Sequence, residues 1–505
     1  MSARKLVLTY VDSLRTDMLE RAASEGSAPT FAALLERGAL VPDCVSSFPS
    51  VTPVACAEMV TGAGADRHWI SGMNWYHRLE RRYVEYGSSL DATRAFGVFR
   101  ALYDLVYNLN LSHLSSEVET LFEQLDDAGL RTACTPFLIY RGRHRHEVSL
   151  EGLLRRAVDV SRLKFHHHTW GPAELFYGDL YASREVPCRS TSIPGNRDGY
   201  SACCAAELAK DDGYDFLLFS LPDNDSHSHR HGPEASLESI AKADSCFAEL
   251  VDAAGGLDSF LAENAVILVA DHAQSAVQRG LPLAELLGRE WTVLQPSEDR
   301  PELAQLAVSP TGRAAHVYLL DGEGERAHPE EVGGMLAETE GIDLVCRLEG
   351  AAGAPLLRHD PGVRAPREAT AVVERQGRTL RFRQGDAVAD LRGRGWDFEG
   401  DLAALDAEVE DGRILTPEYP DALGRVHAAL TAPQAGDYVV SLAPGYEAVD
   451  WGGVSHAGGG SHGSLHREDS LGPLLFVGCG PENPQERGQW ALRDIAPLVR
   501  AHFGL

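Results

Sequence analysis

The chain has 505 residues, of which 44% are hydrophobic and 24% are charged, so it can bury a large core and carry an inserted subdomain. Its 46 basic and 74 acidic side chains give a formal net charge of -28. This acidity excludes a nucleic-acid polymer or an anionic membrane as the main partner. An anionic substrate would need local positive charge, which metal ions can supply.

The N-terminus and the cysteines predict a cytoplasmic protein. Only six mostly apolar residues, Leu6 to Val11, precede Asp12, too few for a signal-peptide core or a membrane span. The nine cysteines are odd in number, scattered and without a CxxC pair. This usage favours reduced thiols over a disulfide framework or a cysteine-bound zinc.

Short apolar runs, each close to a helical pattern, predict an α/β fold with a mostly parallel sheet sandwiched between helix layers. In chain order the segments are KLVLTYVD, APTFAALLERG, SEVETLFEQLDDAG, RTACTPFLIY, YDFLLFSLP, EASLESIAKADSCFAELVDAAGG, NAVILVADH and GPLLFVG. Residues 286–435 lack this alternation and contain the hairpin-like TAVVERQGRTLRF. We therefore predict a catalytic core of residues 1–285 and 436–505, with an inserted subdomain at 286–435.

Polar residues that follow the predicted strands carry the chemistry, because ligands of open α/β sheets lie beyond the carboxyl ends of the strands. A helix cap or a solvated turn would explain any of these residues alone, but not their joint occurrence. Converging carboxylates and imidazoles are typical ligands of a two-zinc site. The candidates are Asp12, Asp271 and His272 at two strand ends, Asp223, Asp225, His227, His229 and His231 in LPDNDSHSHRHGP, and His456, His462 and His466 in a late loop.

The segment SSFPSVTPVACAEMVTG supplies the candidate nucleophile, Thr52, just before a helix of small residues. At a helix N-terminus its hydroxyl would lie where backbone N–H groups face an anion. A threonine hydroxyl is weak at neutral pH and needs metal coordination to attack. Ser50 and Thr61 are alternative nucleophiles, and a helix cap is the alternative role of Thr52.

Five segments, in this order, resemble the alkaline phosphatase superfamily and, within it, the type I phosphodiesterase/nucleotide pyrophosphatase branch. They are the strand ending in Asp12, FPSVTPVACAEMVTG, HWISGMNWY, the Asp-x-x-x-His-x-x-Gly-Pro block, and the paired DH with a late HGS. The resemblance spans residues 6 to 478 without covering the middle segment. It implies an alkaline-phosphatase-like fold.

The resemblance also implies two divalent metal ions, Zn(II) or, as the alternative, Mn(II). In the family pattern, Gly232-Pro233 fixes His229 and Asp225 as ligands and leaves the other members of LPDNDSHSHRHGP as neighbours. The residues alone leave the three late histidines equal, and the resemblance selects His462. One ion would be held by Asp225, His229 and His462, and the other by Asp12, Asp271, His272 and the Thr52 oxygen.

The reaction that the resemblance implies is hydrolysis of a small phosphorylated substrate through a phosphothreonine intermediate on Thr52. A phosphodiesterase or nucleotide pyrophosphatase is the main prediction. A phosphomonoesterase and a phosphonoacetate-type phosphonate hydrolase are the alternatives within the superfamily.

Five residues are predicted to bind the substrate. Asn74 would hold the phosphate, although the family's asparagine aligns with Met73, one place earlier; a buried structural amide is its alternative role. Stacking on the leaving group or core packing are the two options for Trp75 and Tyr76. Arg141 and Arg143 follow a strand and would bind a leaving group or a second phosphate, or lie in a solvated turn.

Two functions from other classes remain as alternatives. The segment GGSHG, residues 459–463, matches the G-x-S-x-G elbow of serine hydrolases, with Ser461 as nucleophile. That elbow must join a strand to a helix, whereas glycines precede it here and a charged loop follows. A non-catalytic zinc-binding protein is the other alternative, and the complete nucleophile segment argues against it.

Overall fold

A computed structural model gives the architecture of most of the chain, and its two largest sheets have eight and nine strands. The described residues are 4–147, 168–177, 180–190, 197–322, 326–350 and 369–505.

The eight-stranded sheet forms the centre of the predicted catalytic core. Its five middle strands run parallel, from Asn264–Val269 to Glu174–Tyr177. The flanking strands Leu471–Val477 and Tyr181–Ala182 pair antiparallel with their neighbours. The mostly parallel sheet predicted from the sequence is confirmed. The strand order is Ala39–Val45, Leu471–Val477, Asn264–Val269, Lys5–Val11, Phe216–Leu221, Thr132–Cys134, Glu174–Tyr177 and Tyr181–Ala182.

Helices cover both faces of this sheet, and its middle strands are predominantly apolar. Along the first strand, Leu6 and Leu8 face one apolar cluster, while Val7 and Val11 face another. This is the alternation that a strand buried on both sides produces. The helices of the first cluster are Thr52–Thr61, Leu121–Asp127 and Ile495–His502, and those of the second are Thr16–Ser24, Pro29–Arg37, Arg197–Lys210 and Leu237–Ala253.

The nine-stranded sheet takes its strands from residues 306 to 442, so it overlaps the predicted insertion at 286–435. The helices Pro329–Glu338 and Ala422–Thr431 pack on it. The domain boundaries stay a prediction. The strand order is Leu306–Thr311, Ala314–Leu319, Tyr438–Leu442, Ile342–Glu349, Thr370–Arg375, Arg378–Ala389, Arg413–Leu415 and Glu408–Glu410, with Gly395–Gly400 paired to Arg378–Ala389.

A third sheet has three strands, which come from the chain segments that connect the two large sheets. They are Gly445–Ala448, Ser275–Leu281 and Gly460–Ser461. Two hairpins pair Asn74–His77 with Arg82–Glu85 and His144–Glu147 with His168–Gly171. The remaining α-helices are Ala65–His68, Leu90–Phe96, Val98–Tyr103, Asp223–His231, Leu257–Glu263, Leu283–Leu287 and Arg467–Ser470, beside a π-helix at Asp104–His113 and 3-10 turns at Pro233–Ala235, Pro301–Leu303, Leu402–Leu405, Pro484–Glu486 and Leu492–Asp494.

None of the helices within the described ranges combines the length and the apolar composition that crossing a lipid bilayer requires.

One pair of cysteines departs from the prediction of reduced thiols. Cys188 and Cys203 form a disulfide, with their Cα atoms 5.7 Å apart. The helix Arg197–Lys210 carries Cys203 back to Cys188, fifteen residues earlier in the chain. Local sequence could not show this pairing, because the adjacent Cys204 obscures the spacing. The other seven cysteines are free thiols.

Candidate active site

Three neighbouring parallel strands end at the same edge of the eight-stranded sheet. Asp12 follows the first strand, the helix Asp223–His231 follows Phe216–Leu221, and Asp271 and His272 follow Asn264–Val269. His462 joins them from the segment after Gly460–Ser461. Together they make two groups whose possible ligand atoms lie within 4.8 Å of one another: Asp225, His229 and His462 in one group, and Asp12, Asp271 and His272 in the other.

The His-rich stretch is helical, and this separates its ligands from their neighbours. Asp225 and His229 stand four residues apart, so they share one face of the helix. The His229 Nε2 atom lies 3.3 Å from Asp225 Oδ1, and His462 Nε2 lies 3.6 Å from the same oxygen. His227 instead contacts the Ala235 carbonyl through Nε2 at 3.0 Å and packs against His231. Asp225 and His229, the two residues that the Gly232-Pro233 pattern selects, therefore lie on the helix face that is directed at His462.

The second group lies directly beside the first. His272 Nε2 is 3.1 Å from Asp271 Oδ2 and 4.0 Å from Asp12 Oδ1. Its ring stacks on that of His462, with the ring centroids 3.7 Å apart. The Ser13 hydroxyl donates to Asp225 Oδ1 at 2.9 Å and lies 3.1 Å from His272 Nδ1. The two groups therefore form one continuous site.

All three imidazoles are oriented through their Nδ1 atoms. His229 and His462 each contact a backbone carbonyl at 2.8 Å, that of Gly460 and of Ser50 respectively. His272 Nδ1 lies 3.3 Å from the Ala273 carbonyl. A carbonyl only accepts, so Nδ1 carries the proton and the Nε2 lone pair faces the site. This is the tautomer that a metal-ligating histidine needs.

His77, Glu80 and His113 form a third group of possible ligands. Their imidazoles are not oriented for metal binding in this way. The backbone N–H of Glu80 donates to His77 Nδ1 at 3.2 Å. In the neutral imidazole Nε2 then keeps the proton and is a donor rather than a ligand. His77 and His113 instead pack around Trp75, and Glu80 is exposed, so the two imidazoles are explained by packing.

Burial governs the charges in the site. It raises the pKa of Asp12, and the neighbouring Asp271 and Asp225 raise it further. Burial also raises the pKa of Asp271, to about 6, and lowers the pKa of His272 to about 4 and of His462 to about 3. His272 and His462 are thus neutral. At His229 the neighbouring Asp225 carboxylate outweighs burial and raises the pKa to about 9. The buried Asp12 and Asp271 lie beside the neutral His272. A set of buried carboxylates and neutral imidazoles suits divalent cations.

A family model described as type I phosphodiesterase / nucleotide pyrophosphatase matches residues 6–464. The chain belongs to this family. It is a phosphoric ester hydrolase of the alkaline phosphatase superfamily, as the sequence predicts.

Two solved structures share the fold across nearly their whole length. Both are of phosphonoacetate hydrolase from Sinorhizobium meliloti 1021, in complex with phosphonoformate and with phosphonoacetate. The first has a TM-score of 0.54 at 15% sequence identity, and the second 0.55 at 14%. In both comparisons 99% of this chain and 96% of the other are covered. A search of curated proteins found no match.

Thr52, the predicted nucleophile, is the first residue of the helix Thr52–Thr61. Its Oγ1 atom lies 3.3 Å from His272 Nε2. The helix end offers little to an anion, because Pro53 has no N–H and the N–H groups of Val54 and Ala55 donate to Val51. The positive charge expected from the helix N-terminus must therefore come from elsewhere.

The two alternative nucleophiles are engaged within the protein. Ser50 is fully buried and its hydroxyl donates to the Ser464 carbonyl at 2.9 Å. Thr61 lies at the other end of the same helix, where its hydroxyl donates to the Ala57 carbonyl at 2.6 Å. Of the three hydroxyls, only that of Thr52 contacts either group of candidate ligands.

The predicted phosphate and stacking residues lie in the core. The Asn74 amide donates to the Pro310 carbonyl, and Asn74 is only 1% exposed. Trp75 is equally buried, and its indole N–H donates to Tyr86. Tyr76 packs against other aromatic rings. These contacts match the structural alternatives, and the substrate-binding roles of Asn74, Trp75 and Tyr76 stay predictions.

The two predicted cationic residues are held by acidic partners. Arg141 pairs with Glu123 at 3.1 Å and also donates to three backbone carbonyls. Arg143 pairs with Glu119, Glu123 and Asp127. Neither guanidinium contacts the two ligand groups in the described part of the chain, so phosphate binding by Arg141 and Arg143 stays a prediction.

The serine of GGSHG does not have the surroundings of a hydrolase nucleophile. Ser461 is fully buried in the strand Gly460–Ser461, and its hydroxyl donates to Glu447 at 2.6 Å. The same carboxylate binds His456 Nδ1 at 2.8 Å, so the histidine contacts the acid rather than the serine. A serine nucleophile needs the base on its own hydroxyl.

Sequence reasoning missed two residues that bind the candidate ligands. Besides Ser13, Gln274 donates to Asp225 Oδ1 through Nε2 at 2.7 Å. Ser13 directly follows Asp12, and Gln274 lies two residues after His272. A polar residue within two positions of a strand-end ligand was the signal that could have identified both.

The register of the His-rich helix gives the first prediction. His229→Ala should lose metal at the first group and nearly all hydrolysis, because Nε2 of His229 faces Asp225 and His462. His227→Ala and His231→Ala should retain most of both, since these rings face away. Metal content by elemental analysis and initial rates on one substrate decide the matter, and greater damage from His227→Ala would refute the register.

Proposed function

We propose that this protein is a two-metal phosphodiesterase in which Thr52 attacks the substrate phosphorus. The observation that carries the proposal is the position of the Thr52 hydroxyl. It lies 3.3 Å from His272 Nε2, beside the group of Asp12 and Asp271. The first group adjoins it, and its member His462 stacks on His272.

The donor set supports two divalent ions, with Zn(II) favoured over Mn(II) because imidazoles and carboxylates in small sets suit zinc. Asp225, His229 and His462 would hold one ion, and Asp12, Asp271, His272 and Thr52 the other. Such ions, when bound, polarise phosphoryl oxygens and lower the pKa of a coordinated hydroxyl.

The chain's own residues position the reaction. Thr52 sits at the start of a rigid helix, so its Oγ1 is presented in a fixed direction. Attack forms the bond from Thr52 Oγ1 to phosphorus and breaks the bond to the leaving oxygen, which departs as an alcohol with the proton lost by the Thr52 hydroxyl. The product is a phosphothreonine that keeps the second ester group of the diester. Water then hydrolyses this ester and restores the hydroxyl, so one difficult displacement becomes two easier ones.

The available charge favours a diester over a monoester. A phosphomonoester carries an additional negative charge and needs a further cation in the site. Arg141 and Arg143 were the candidates for this task, and both are paired with acidic side chains. A small phosphorylated diester therefore fits the site best.

Substrate and metal dependence can be tested together. The purified protein should hydrolyse bis-p-nitrophenyl phosphate faster than p-nitrophenyl phosphate, because the diester carries less charge. Excess chelator should abolish the reaction, and Zn(II) or Mn(II) should restore it. Phosphate release from phosphonoacetate, measured in parallel, tests the phosphonate alternative. Full activity in chelator with no bound metal would exclude the two-metal mechanism.

The nucleophile can be separated from the metal ligands. Thr52→Ala removes the attacking oxygen but leaves Asp12, Asp271 and His272, so the protein should fold and bind two ions. Its turnover should fall by roughly several orders of magnitude, because residues that act as one catalytic unit lose most of their rate when one essential member is removed. Thr52→Ser keeps a hydroxyl and should retain appreciable activity.

The matched control for this variant is Ser461→Ala, which removes the rival hydroxyl without touching either ligand group. Its turnover on the same diester should stay within a few-fold of the unmodified protein. Near-normal turnover in Thr52→Ala together with none in Ser461→Ala would reverse the assignment.

A further inference from the structure

Arg313 and Asp469 form an ion pair with no solvent-exposed side-chain surface. The Arg313 Nη1 atom lies 2.6 Å from Asp469 Oδ1, and both side chains are 0% exposed. Arg313 stands in the turn between Leu306–Thr311 and Ala314–Leu319 of the nine-stranded sheet. Asp469 lies seven residues after His462, so the pair joins this sheet to the segment that carries the ligand.

Asp469 contacts both ligand-bearing loops. Its Oδ2 atom accepts the backbone N–H of Ser464 at 3.0 Å, two residues after His462. Its backbone carbonyl accepts the N–H of Ala273 at 3.0 Å, one residue after His272. The Ser275 hydroxyl donates to Asp469 Oδ1 at 2.7 Å. One residue thus links the loops of the two proposed metal ions.

The turn of Arg313 also packs against the main chain of His462. The Arg313 N–H donates to the His462 carbonyl at 2.7 Å. At Gly312, where φ is +65°, a Cβ atom would lie 2.2 Å from this carbonyl oxygen. The His462 ring is held at its other end by the Ser50 carbonyl. The position of the ring therefore depends on the turn.

Stability alone gives no reason for this pair. Removing two charges from water costs about as much as their attraction returns, and apolar residues of similar size often replace buried pairs without loss. Nε of the Arg313 side chain donates to the Tyr446 carbonyl at 3.1 Å, and Nη1 also donates to the Ser275 hydroxyl. Nη2 is buried without a hydrogen-bond partner among the described residues. Its contacts thus converge on the segments around the ligands.

We propose that Arg313 is a positioning residue, which acts through Asp469 to hold His462 and His272 in the geometry that two metal ions require. The inference rests on the proposed two-metal function and assigns part of that site to the nine-stranded sheet. It predicts a loss of metal affinity that is separable from a loss of stability.

The test is metal binding by Arg313→Met, which keeps side-chain length and removes the charge. Equilibrium dialysis against Zn(II) with elemental analysis should give about 10–100-fold weaker binding of at least one ion, the usual effect of losing an outer hydrogen-bonding partner. Arg313→Lys keeps the positive charge but lacks the several N–H donors of a guanidinium, so it should show a smaller loss of zinc affinity. It serves as the test if Arg313→Met does not fold.

A double variant separates position from stability. In Arg313→Met with Asp469→Leu no buried charge is left unpaired, so the urea midpoint should return towards that of the unmodified protein. Zinc affinity should stay low, because Ser464 and Ser275 have lost their acceptor. Arg78→Met is the matched control, since it breaks another buried pair, with Asp437, and should lower the midpoint while two ions stay bound.

Unchanged affinity for both ions in folded Arg313→Met would overturn the inference, as would a double variant that recovers affinity together with stability. An unmodified protein that binds no divalent ion would overturn the proposed function and this inference with it. If the unmodified protein binds two ions and Arg313→Met binds two ions equally tightly, only the inference about Arg313 is overturned and the proposed function stands.

Discussion

Buried negative charge is the constraint on which this site depends. Asp12 and Asp271 are almost fully buried, and Asp225 lies beside them, so all three would repel one another if ionised without cations. The protein compensates only in part. The backbone N–H of Ser13 donates to Asp271, and the side chains of Ser13 and Gln274 donate to Asp225. Of the three neighbouring imidazoles, His272 and His462 stay neutral because burial lowers their pKa, and only His229 has a raised pKa. The two divalent cations that we propose would complete the electrostatics, and their removal would leave the strand ends mutually repulsive.

The sequence predicts this convergence because parallel strands place their carboxyl ends at one edge. Apolar runs identify the strands, and the residue after each run is then a candidate ligand. The His-rich stretch is more instructive. Its histidines alternate with other residues along the chain, as side chains of a strand would, but the stretch folds as a helix. Asp225 and His229 share one face and His227 and His231 another, both at a spacing of four. A helical period applied to LPDNDSHSHRHGP separates these two faces, but it does not choose between them, and the Gly232-Pro233 pattern of the family makes that choice.

The rest of the site depends on contacts between distant segments, which local patterns do not encode. Asn74 is buried against Pro310, 236 residues away, and no property of HWISGMNWY indicates that strand. Glu123, which pairs with Arg141, lies in the helix Leu121–Asp127, whose position follows only from the packed sheet. The pairing of Cys188 with Cys203 likewise depends on where a helix returns the chain. Sequence reasoning therefore predicted the polar residues that meet at the sheet edge, and it missed the long-range contacts of the residues around them.

The nine-stranded sheet explains how loops after strands can hold catalytic geometry. Such loops are mobile unless other elements fix them. A second arginine of this sheet's layer, Arg425 on the helix Ala422–Thr431, is 1% exposed and donates to the Ser47 carbonyl at 2.7 Å and the Leu465 carbonyl at 3.0 Å. Ser47 lies in the segment that carries Thr52, and Leu465 follows His462, so one guanidinium binds both segments. We therefore expect Arg425 to support the predicted nucleophile much as Arg313 is proposed to support the predicted ligands. The nine-stranded sheet and its helix thus support the candidate site, because main-chain carbonyls of the loops around Thr52 and His462 accept hydrogen bonds from Arg425 and Arg313.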